Sequence, residues 1–251
     1  MKKFLKIIPA VFSLIIPVFF CFQAHADTLV AGHAEWMPWC WTEKTGDKGI
    51  LIDIFKKACE QAGIPSATIN IPIKRRNELE WGKRVNVELG VIPEWREKYK
   101  DVSLYTIPVF RTVNVVLAKK GKMPKTDRVE DFFGKTLGTN RGFIYTDGFT
   151  EAFEQKKITR MDTVEGSAII KMMVHDRFDA AILDRYEARY CLKSMNLNVE
   201  DFEEVYIFKT VTDLRFRLHK SQKHLLEKLD KTLKKMKEDG SIQQIVDKYT
   251  K

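Results

Sequence analysis

The sequence predicts an α/β fold built as two similar lobes, and three observations support this class. Segments with helical spacing of apolar residues alternate with short apolar runs typical of strands, as in a largely parallel sheet covered by helices. A helix, a basic turn, an apolar strand and a charged residue follow one another in both halves, in NELEWGKRVNVELGVIPEWR and in VEGSAIIKMMVHDRFDAAILDRYEARY. The length of 251 residues is also sufficient for two lobes.

The first 26 residues have the features of a secretory signal peptide. Three lysines precede an apolar run from Ile7 to Phe22, and Ala24-His25-Ala26 forms an A-x-A cleavage site. The apolar run is shorter than the roughly 20 residues that a membrane-spanning helix needs, and it contains two prolines. We therefore expect cleavage after Ala26 and a periplasmic protein.

The charge and cysteine content limit the class of partner. Removing residues 1–26 leaves 225 residues and lowers the formal net charge from +9 to +6, because three lysines are lost. The basic residues are scattered, which disfavours nucleic acid as a partner, and we expect a monomer. Cys40, Cys59 and Cys191 allow at most one disulfide, with buried thiols as the alternative, and their spacing matches no zinc site. We expect no cofactor.

The elements of the first half follow from apolar periodicity. A strand near Thr28 to Ala31 precedes an aromatic loop, and GILIDIFKKACEQAGI then predicts an amphipathic helix that ends at Gly63. After it, SATINIPI alternates like a strand, RRNELEWG is typical of a helix, and VNVELGVI predicts another strand.

The second half repeats this order and the chain ends in helices. VEDFFGKTLGTNRGFI predicts a short helix, a turn at Gly134 and a strand that leads into a glycine-containing loop. A helix, a strand and a helix follow within residues 164–190. Two apolar stripes separated by Gly240 predict two C-terminal helices, which we interpret as core packing.

The aromatic loop after the first strand is the first candidate for ligand binding. Trp36, Trp39 and Trp41 are three of the five tryptophans, and they lie in one segment interrupted by Pro38 and followed by Gly46. Buried tryptophan usually lies on a periodic helix or strand, whereas these turn residues indicate a loop. A loop so rich in aromatic residues is often shaped for a ligand.

The ends of the predicted strands provide the charged candidates. In open α/β sheets, ligands bind at the carboxyl ends of the strands. Arg96 follows the strand that ends near Leu89, and Asp184 follows FDAAIL in the other lobe. An arginine fork binds a carboxylate and an aspartate accepts from an ammonium group, so this pair suits a zwitterion. The alternative is that both residues form ordinary surface salt bridges.

Six segments in register resemble the bacterial extracellular solute-binding proteins of family 3, the periplasmic receptors of polar amino-acid ABC transporters. In chain order they are WMPWCW, GILIDIFKKACEQAGI, IPEWREKYKDVSLYTIPVF, VEDFFGKTLGTNRG, RFDAAILDRYEA and LKKMKEDGSIQQIVDKY. Each motif is degenerate on its own, but together they cover nearly the whole mature chain.

The resemblance implies a periplasmic binding protein-like fold of type II, with two α/β lobes joined by two hinge strands and a ligand cleft between them. After the signal peptide at 1–26, lobe 1 would be 27–108 plus 212–251 and lobe 2 would be 109–211. The hinge strands would lie near Ile107 to Arg111 and near Lys209 to Leu214. The implied function is to capture a small polar ligand, such as an amino acid or related carboxylate, by hinge closure and to deliver it to an ABC transporter.

The resemblance also implies roles for individual residues. Arg96 matches the arginine that binds the α-carboxylate, and Asp184 matches the aspartate that binds the α-amino group. Trp36 matches the aromatic residue that covers the ligand, and Trp39 is either packing or a second wall of the site.

Some positions depart from the family pattern. Pro93 stands where the family has a threonine, and Phe143 and Ile144 replace the expected serine and threonine in lobe 2. The lost hydroxyls remove donors for a carboxylate, so a more apolar or larger ligand is an alternative, with Phe143 beside it. Arg76 and His33 add positive charge for an anionic side group, unless Arg76 only solvates a helix face.

Two other classes of protein share this architecture. An exported enzyme, such as a dehydratase acting on cyclohexadienyl acids, is one alternative, with Glu88 or Glu35 as a general acid. The sensor portion of a signalling receptor is another. The sequence offers no nucleophile-base pair, metal cluster or phosphate loop, which favours a binding protein over an enzyme.

Overall fold

A computed structural model describes residues 28–163 and 166–251, and the predicted signal peptide lies outside these ranges. The strands are β1 (Leu29–His33), β2 (Trp41–Glu43), β3 (Gly46–Lys48), β4 (Ser66–Asn70), β5 (Val87–Val91), β6 (Ser103–Tyr105), β7 (Phe110–Lys119), β8 (Thr136–Asn140), β9 (Thr159–Thr163), β10 (Ala180–Asp184) and β11 (Phe202–His219). The α-helices are α1 (Ile50–Gln61), α2 (Ile73–Arg75), α3 (Phe149–Glu154), α4 (Gly166–Val174), α5 (Arg185–Ser194), α6 (Lys223–Glu238) and α7 (Ser241–Thr250).

Irregular helical turns lie mainly near the ends of the strands. The turn after α2 continues as a π-helix over Arg76–Glu80, and 3-10 turns cover Pro93–Val102, Val129–Phe132, Val199–Asp201 and Lys220–Gln222. The helices and strands predicted from periodicity in both halves are confirmed, as is the break between α6 and α7 at Gly240.

Nine strands of the described chain form one sheet in the order β4-β1-β5-β11-β7-β10-β8-β9, with β6 also paired to β11. Pairing is parallel on both sides: β1 pairs with β4 and β5, and β8 pairs with β9 and β10. The central strands β7 and β11 are antiparallel to their partners. The predicted α/β class is therefore confirmed, with the antiparallel pairs in the middle of the sheet.

Strand β11 connects the two sides of the sheet. It pairs with β7 from Phe202 to Leu214 and with β5 and β6 from Arg215 to His219. Its pairing with β7 is irregular between Ile207 and Val211. This irregular segment overlaps the predicted hinge region.

The buried apolar residues fall into separate clusters on the two sides. The first cluster combines residues from 29–64, 87–110 and 214–249, so it contains the C-terminal helices α6 and α7. The other two clusters lie within 113–208. Phe110 belongs to the first cluster and Val113 to the second. The lobe limits given above, 27–108 plus 212–251 and 109–211, stay a prediction.

Helix α1 begins at a position that requires glycine. Gly49 has a φ of 128°, and a Cβ there would overlap the carbonyl group of Trp39. The Gly49 amide donates to the Tyr249 hydroxyl at 3.3 Å, and the same hydroxyl donates to Asp53 at 2.7 Å. The start of α1 is thus tied to the end of α7.

The three cysteines of the described chain are buried, and none of them is in a disulfide within it. Burial raises the pKa of the Cys59 thiol to about 12 and also raises that of Cys40. Among the residues that the structure describes, no helix combines the length and the apolar character needed to cross a membrane.

Candidate functional site

The aromatic loop between β1 and β2 closes as a tight turn. The Trp36 amide donates to the Cys40 carbonyl at 2.7 Å, and the Trp39 amide donates back to the Trp36 carbonyl at 2.7 Å. Trp36 is half-buried, whereas Trp39 is 0% exposed and packs against Trp36, Phe110 and Tyr186 at ring distances of 5.5 to 5.9 Å. Packing is therefore the one of the two roles considered for Trp39 that agrees with its burial, whereas Trp36 keeps some exposed surface.

Arg96 is held by a carboxylate of the protein itself. Its Nε donates to both Glu88 oxygens at 3.1 and 3.0 Å, and its Nη2 donates to Glu88 Oε1 at 2.5 Å. Nη1 donates to the Trp95 carbonyl at 2.8 Å. Two of its five N–H groups have no acceptor among the residues that the structure describes. The edge of the Arg96 guanidinium that carries Nε and Nη2 is therefore occupied by Glu88.

Glu88 also contacts two further arginines. It accepts a hydrogen bond from Arg76 Nη2, and Arg217 Nη1 lies 3.0 Å from Oε2 without the geometry of a hydrogen bond. Glu88, Arg76 and Arg217 are 2%, 3% and 0% exposed. The burial of Arg76 rules out the alternative that it solvates a helix face. Three guanidiniums around one carboxylate leave a formal excess of two positive charges.

Neighbouring groups hold the two buried guanidiniums in place. Arg76 Nη1 donates to the Gly32 carbonyl at 3.1 Å, and the Arg217 guanidinium lies 3.7 Å from the centre of the Trp81 ring. Burial lowers the pKa of Arg217 to about 10, and it also lowers the pKa of Arg76. The negative charge of Glu88 opposes both shifts. The sequence analysis did not identify Arg217 as a site residue. The one feature that could have indicated it is that this charged residue lies between the apolar residues Phe216 and Leu218, which are buried on β11.

Asp184 ends β10 and caps the N-terminus of α5. Its Oδ1 accepts from the amides of Tyr186 at 2.9 Å and Glu187 at 3.2 Å, and its Oδ2 accepts from the Thr112 hydroxyl. Burial raises the pKa of Asp184 to about 6, against the effect of these hydrogen bonds. Three donors of the protein therefore already bind this carboxylate.

A cleft of about 320 Å³ lies between the aromatic loop and the second half of the chain. Trp36 and Phe143, both predicted site residues, line it together. Phe143 is 48% exposed, in keeping with a side chain at the mouth of a cleft. Arg76, Arg96, Asp184 and Trp39 are not among its lining residues, which are Glu35, Trp36, Met37, Asn140, Arg141, Phe143, Gly166, Ser167, Glu187, Tyr190, Cys191 and Ser194.

Glu187 is a cleft residue that sequence reasoning missed. It is 7% exposed, and its Oε2 accepts from Asn140 Nδ2 at 3.4 Å. Burial, followed by the negative charge of Asp184, raises the pKa of Glu187 to about 8. The sequence feature that could have indicated Glu187 is its position three residues after Asp184, because this spacing places the two carboxylates on one side of α5.

The described residues contain no group of three or more histidine, cysteine, aspartate or glutamate side chains arranged to hold a metal ion. The groups available at the cleft are therefore carboxylates, amides, hydroxyls, an arginine and aromatic rings. Such a set can bind a small polar molecule by hydrogen bonds and stacking.

Two α/β halves linked by β7 and β11, with a cleft lined by both, define a periplasmic binding protein-like fold. Residues 29–251 match the bacterial extracellular solute-binding proteins of family 3. The chain belongs to this family.

The relatives are remote in sequence but cover most of the chain. The arginine-binding extracellular protein ArtP of Bacillus subtilis (strain 168) is 23% identical over 218 residues, which are 86% of this chain and 83% of ArtP. The open form of substrate-binding domain 2 of Lactococcus lactis GlnP has a TM-score of 0.70 and 16% identity, covering 89% of this chain and 95% of that one.

A second similar structure is that of the ancestral amino acid-binding protein AncCDT-1, described as a precursor of cyclohexadienyl dehydratase. Its TM-score is 0.61 at 22% identity, over 89% of this chain and 96% of that one. At these levels of identity the two structures establish the shared fold.

Proposed function

We propose that the protein is an exported, periplasmic solute-binding protein that captures an amino acid or a related carboxylate and delivers it to an ABC transporter. The observation that carries this proposal is the cleft, whose lining comes from the aromatic loop on one side and from 140–194 on the other. Its volume of about 320 Å³ is within the range of small-ligand sites.

Capture occurs by closure of the two halves around the ligand. The irregular pairing of β11 between Ile207 and Val211 supports a hinge in the connecting strands. Closure brings the two free N–H groups of Arg96 to the ligand carboxylate, while Trp36 and Phe143 cover its apolar part. The ligand stabilises the closed form because only that form offers contacts from both halves.

The relatives suggest which ligand to test first. ArtP is an arginine-binding protein, and the cleft of this chain contains Glu35 and Glu187 as carboxylates. L-Arginine is therefore the first probe. The transporter subunits are the proposed protein partner, and we propose that the protein acts as a monomer without nucleic acid.

The direct experiment is a thermal-shift screen of the mature protein with the twenty standard L-amino acids, followed by calorimetry on the best binder. We expect at least one of them, with L-arginine first, to raise the melting temperature by stabilising the closed form. If none of the twenty shifts the melting temperature at millimolar concentration, capture of an amino acid is contradicted.

The location is tested separately. Protein recovered from the periplasm after expression of the full chain should have Asp27 as its first residue, because cleavage follows the A-x-A site. An N-terminus at Met1 would contradict the proposed export.

An exported dehydratase is the second candidate, and one observation favours it. A carboxyl with a pKa of about 8 is mostly protonated at neutral pH, so Glu187 can serve as a general acid in the cleft. The two acids considered from the sequence are less suitable. Glu88 is bound by three arginines and does not line the cleft, and Glu35 is exposed and accepts from Asn70 Nδ2.

Incubation with prephenate or arogenate distinguishes the two candidates. Turnover that disappears in Glu187→Gln supports the enzyme. A melting shift without turnover supports the binding protein.

A further inference from the structure

The carboxylate that the family pattern assigns to the ligand has little capacity left in this chain. Asp184 accepts from Thr112 and from the amides of Tyr186 and Glu187. A carboxylate offers about four acceptor directions, so three of them are used. Asp184 is also not among the residues that line the cleft.

Glu187 differs from Asp184 on both points. Glu187 lines the cleft. Within the described chain, its side chain has one hydrogen bond with another side chain, which Asn140 Nδ2 donates, and at 3.4 Å this bond is long. The backbone amide of Gly166 donates to it as well. A carboxylate offers about four acceptor directions, so beyond these two donors the buried Glu187 carboxyl group, which is 7% exposed, can accept hydrogen bonds from a ligand.

Gly166 makes this position of Glu187 possible. A Cβ at Gly166 would overlap Glu187 Oε1 and crowd the rest of its carboxyl group. The close approach of the Glu187 carboxyl group is what excludes a side chain.

We propose that Glu187, rather than Asp184, is the residue that accepts the ligand's cationic group, and that Asp184 acts as a positioning residue for it. This inference rests on the proposed capture of an amino acid, and it assigns the ammonium or guanidinium group of that ligand to the cleft side of α5. Asp184 holds the Glu187 backbone through the 3.2 Å hydrogen bond from the Glu187 amide.

A proton accompanies this mode of binding. Burial and Asp184 keep the free Glu187 carboxyl mostly protonated at neutral pH, because its pKa is about 8. A cation within hydrogen-bond distance stabilises the ionised form, so binding lowers the pKa of Glu187 and releases a proton. The other titratable groups around Glu187 are Asp184, which caps α5, Tyr190 and Cys191 on α5, Arg141 in the same half and, across the cleft, Glu35.

The test uses the mature protein, L-arginine and the rest of the twenty amino acids as probes, and calorimetry in two buffers of different ionisation enthalpy near pH 7. We expect the parent to release about one proton per ligand, since one carboxyl group changes state. Glu187→Gln should bind about thirty-fold more weakly and release none. Glu154→Gln, an exposed site on α3, is the control and should match the parent.

Two further variants separate binding from folding. Gly166→Ala keeps the Glu187 carboxyl but displaces it, so it should also weaken binding and reduce proton release. Asp184→Asn should reduce affinity less than Glu187→Gln does, and it should release less of a proton than the parent, because the Asp184 charge helps to raise the pKa of Glu187. Circular dichroism checks that each variant is folded.

The outcomes identify which statement fails. If the parent binds an amino acid but Glu187→Gln binds it within two-fold, or if the parent releases no proton, the role of Glu187 is contradicted and the proposed function stands. If the parent binds none of the twenty amino acids, the proposed function fails and this inference fails with it.

Discussion

Glu88 is the residue on which the arginine cluster depends. Replacing it by glutamine leaves Arg76 and Arg217 buried with no opposing charge, since both are at most 3% exposed. Breaking a buried ion pair in this way costs roughly 3 to 5 kcal/mol. We expect Glu88→Gln to lower the free energy of unfolding by about that amount in a urea titration.

A surface ion pair provides the matched control for Glu88. Glu97 pairs with Lys100 at 2.8 Å, and both side chains are more than half exposed. Glu97→Gln should change the free energy of unfolding by less than about 1 kcal/mol. Equal effects of the two substitutions would show that the cluster is solvated.

Glu187 should make the stability of the unliganded protein depend on pH. Its pKa is raised from 4.5 to about 8 in the folded state, so the folded protein holds a proton that the unfolded chain has lost. The contribution of Glu187 to the free energy of unfolding is fully present below pH 4.5 and is lost as the pH rises towards 8. The free energy of unfolding then falls by at most about 1.4 kcal/mol per pH unit.

Glu187→Gln removes this dependence. We expect the variant to gain stability over the parent as pH rises from about 5 to about 8, because it has no carboxyl to ionise. Urea titrations at both pH values measure the gain, and Glu154→Gln on α3 should show none. A gain that is larger at the lower pH would contradict the raised pKa.

The residue types of the site were visible in the sequence, but their partners were not. Trp36 and Phe143 were predicted as site residues and line one cleft. Arg96 was assigned to a ligand carboxylate, yet the bond to Glu88 could not be foreseen, because it depends on how the turn after β5 folds back. Ion pairs between distant segments leave no periodic pattern in a sequence.

At the scale of elements, the start of α1 offers a test of backbone packing. Gly49 and Gly46 both have strongly positive φ values, 128° and 117°. A Cβ at Gly49 meets the Trp39 carbonyl, whereas nothing lies within 4 Å of one at Gly46. Both alanine substitutions should cost about 1 to 3 kcal/mol from conformation alone.

The difference between the two alanine variants measures the contact with Trp39. We expect Gly49→Ala to lose clearly more stability than Gly46→Ala in chemical denaturation, because the aromatic loop must move to admit the methyl group. If the two losses are equal, the loop is able to yield and does not fix the position of α1.

Local patterns were sufficient for the regular elements and insufficient for the connecting ones. The apolar face of α1 and the two stripes of α6 and α7 repeat every three to four residues, so periodicity located them. The hairpin of β2 and β3 has only three residues in each strand and no alternation to detect. The 18 residues of β11 exceed any single apolar run, because the strand serves both sides of the sheet.

For the whole molecule, the proposed closure predicts a change of shape without a change of secondary structure. Adding the amino acid with the largest melting shift should reduce the radius of gyration in small-angle scattering, because the halves approach each other about β7 and β11. Helix content by circular dichroism should stay constant. The D-enantiomer at the same concentration is the control.

An unchanged scattering profile at saturation would count against closure. The ligand would then bind to one half of the protein and would not contact the cleft residues of the other half. In that case Trp36 and Phe143, which face the cleft from opposite sides, would not both affect affinity.

The tie between Gly49 and Tyr249 joins residues 200 positions apart, and α6 and α7 complete the first hydrophobic cluster. During synthesis from the N-terminus, the half that is made first therefore cannot close its core until the last two helices have emerged. Contacts between such distant segments form late in folding. The half that is begun first is therefore the half whose core is completed last.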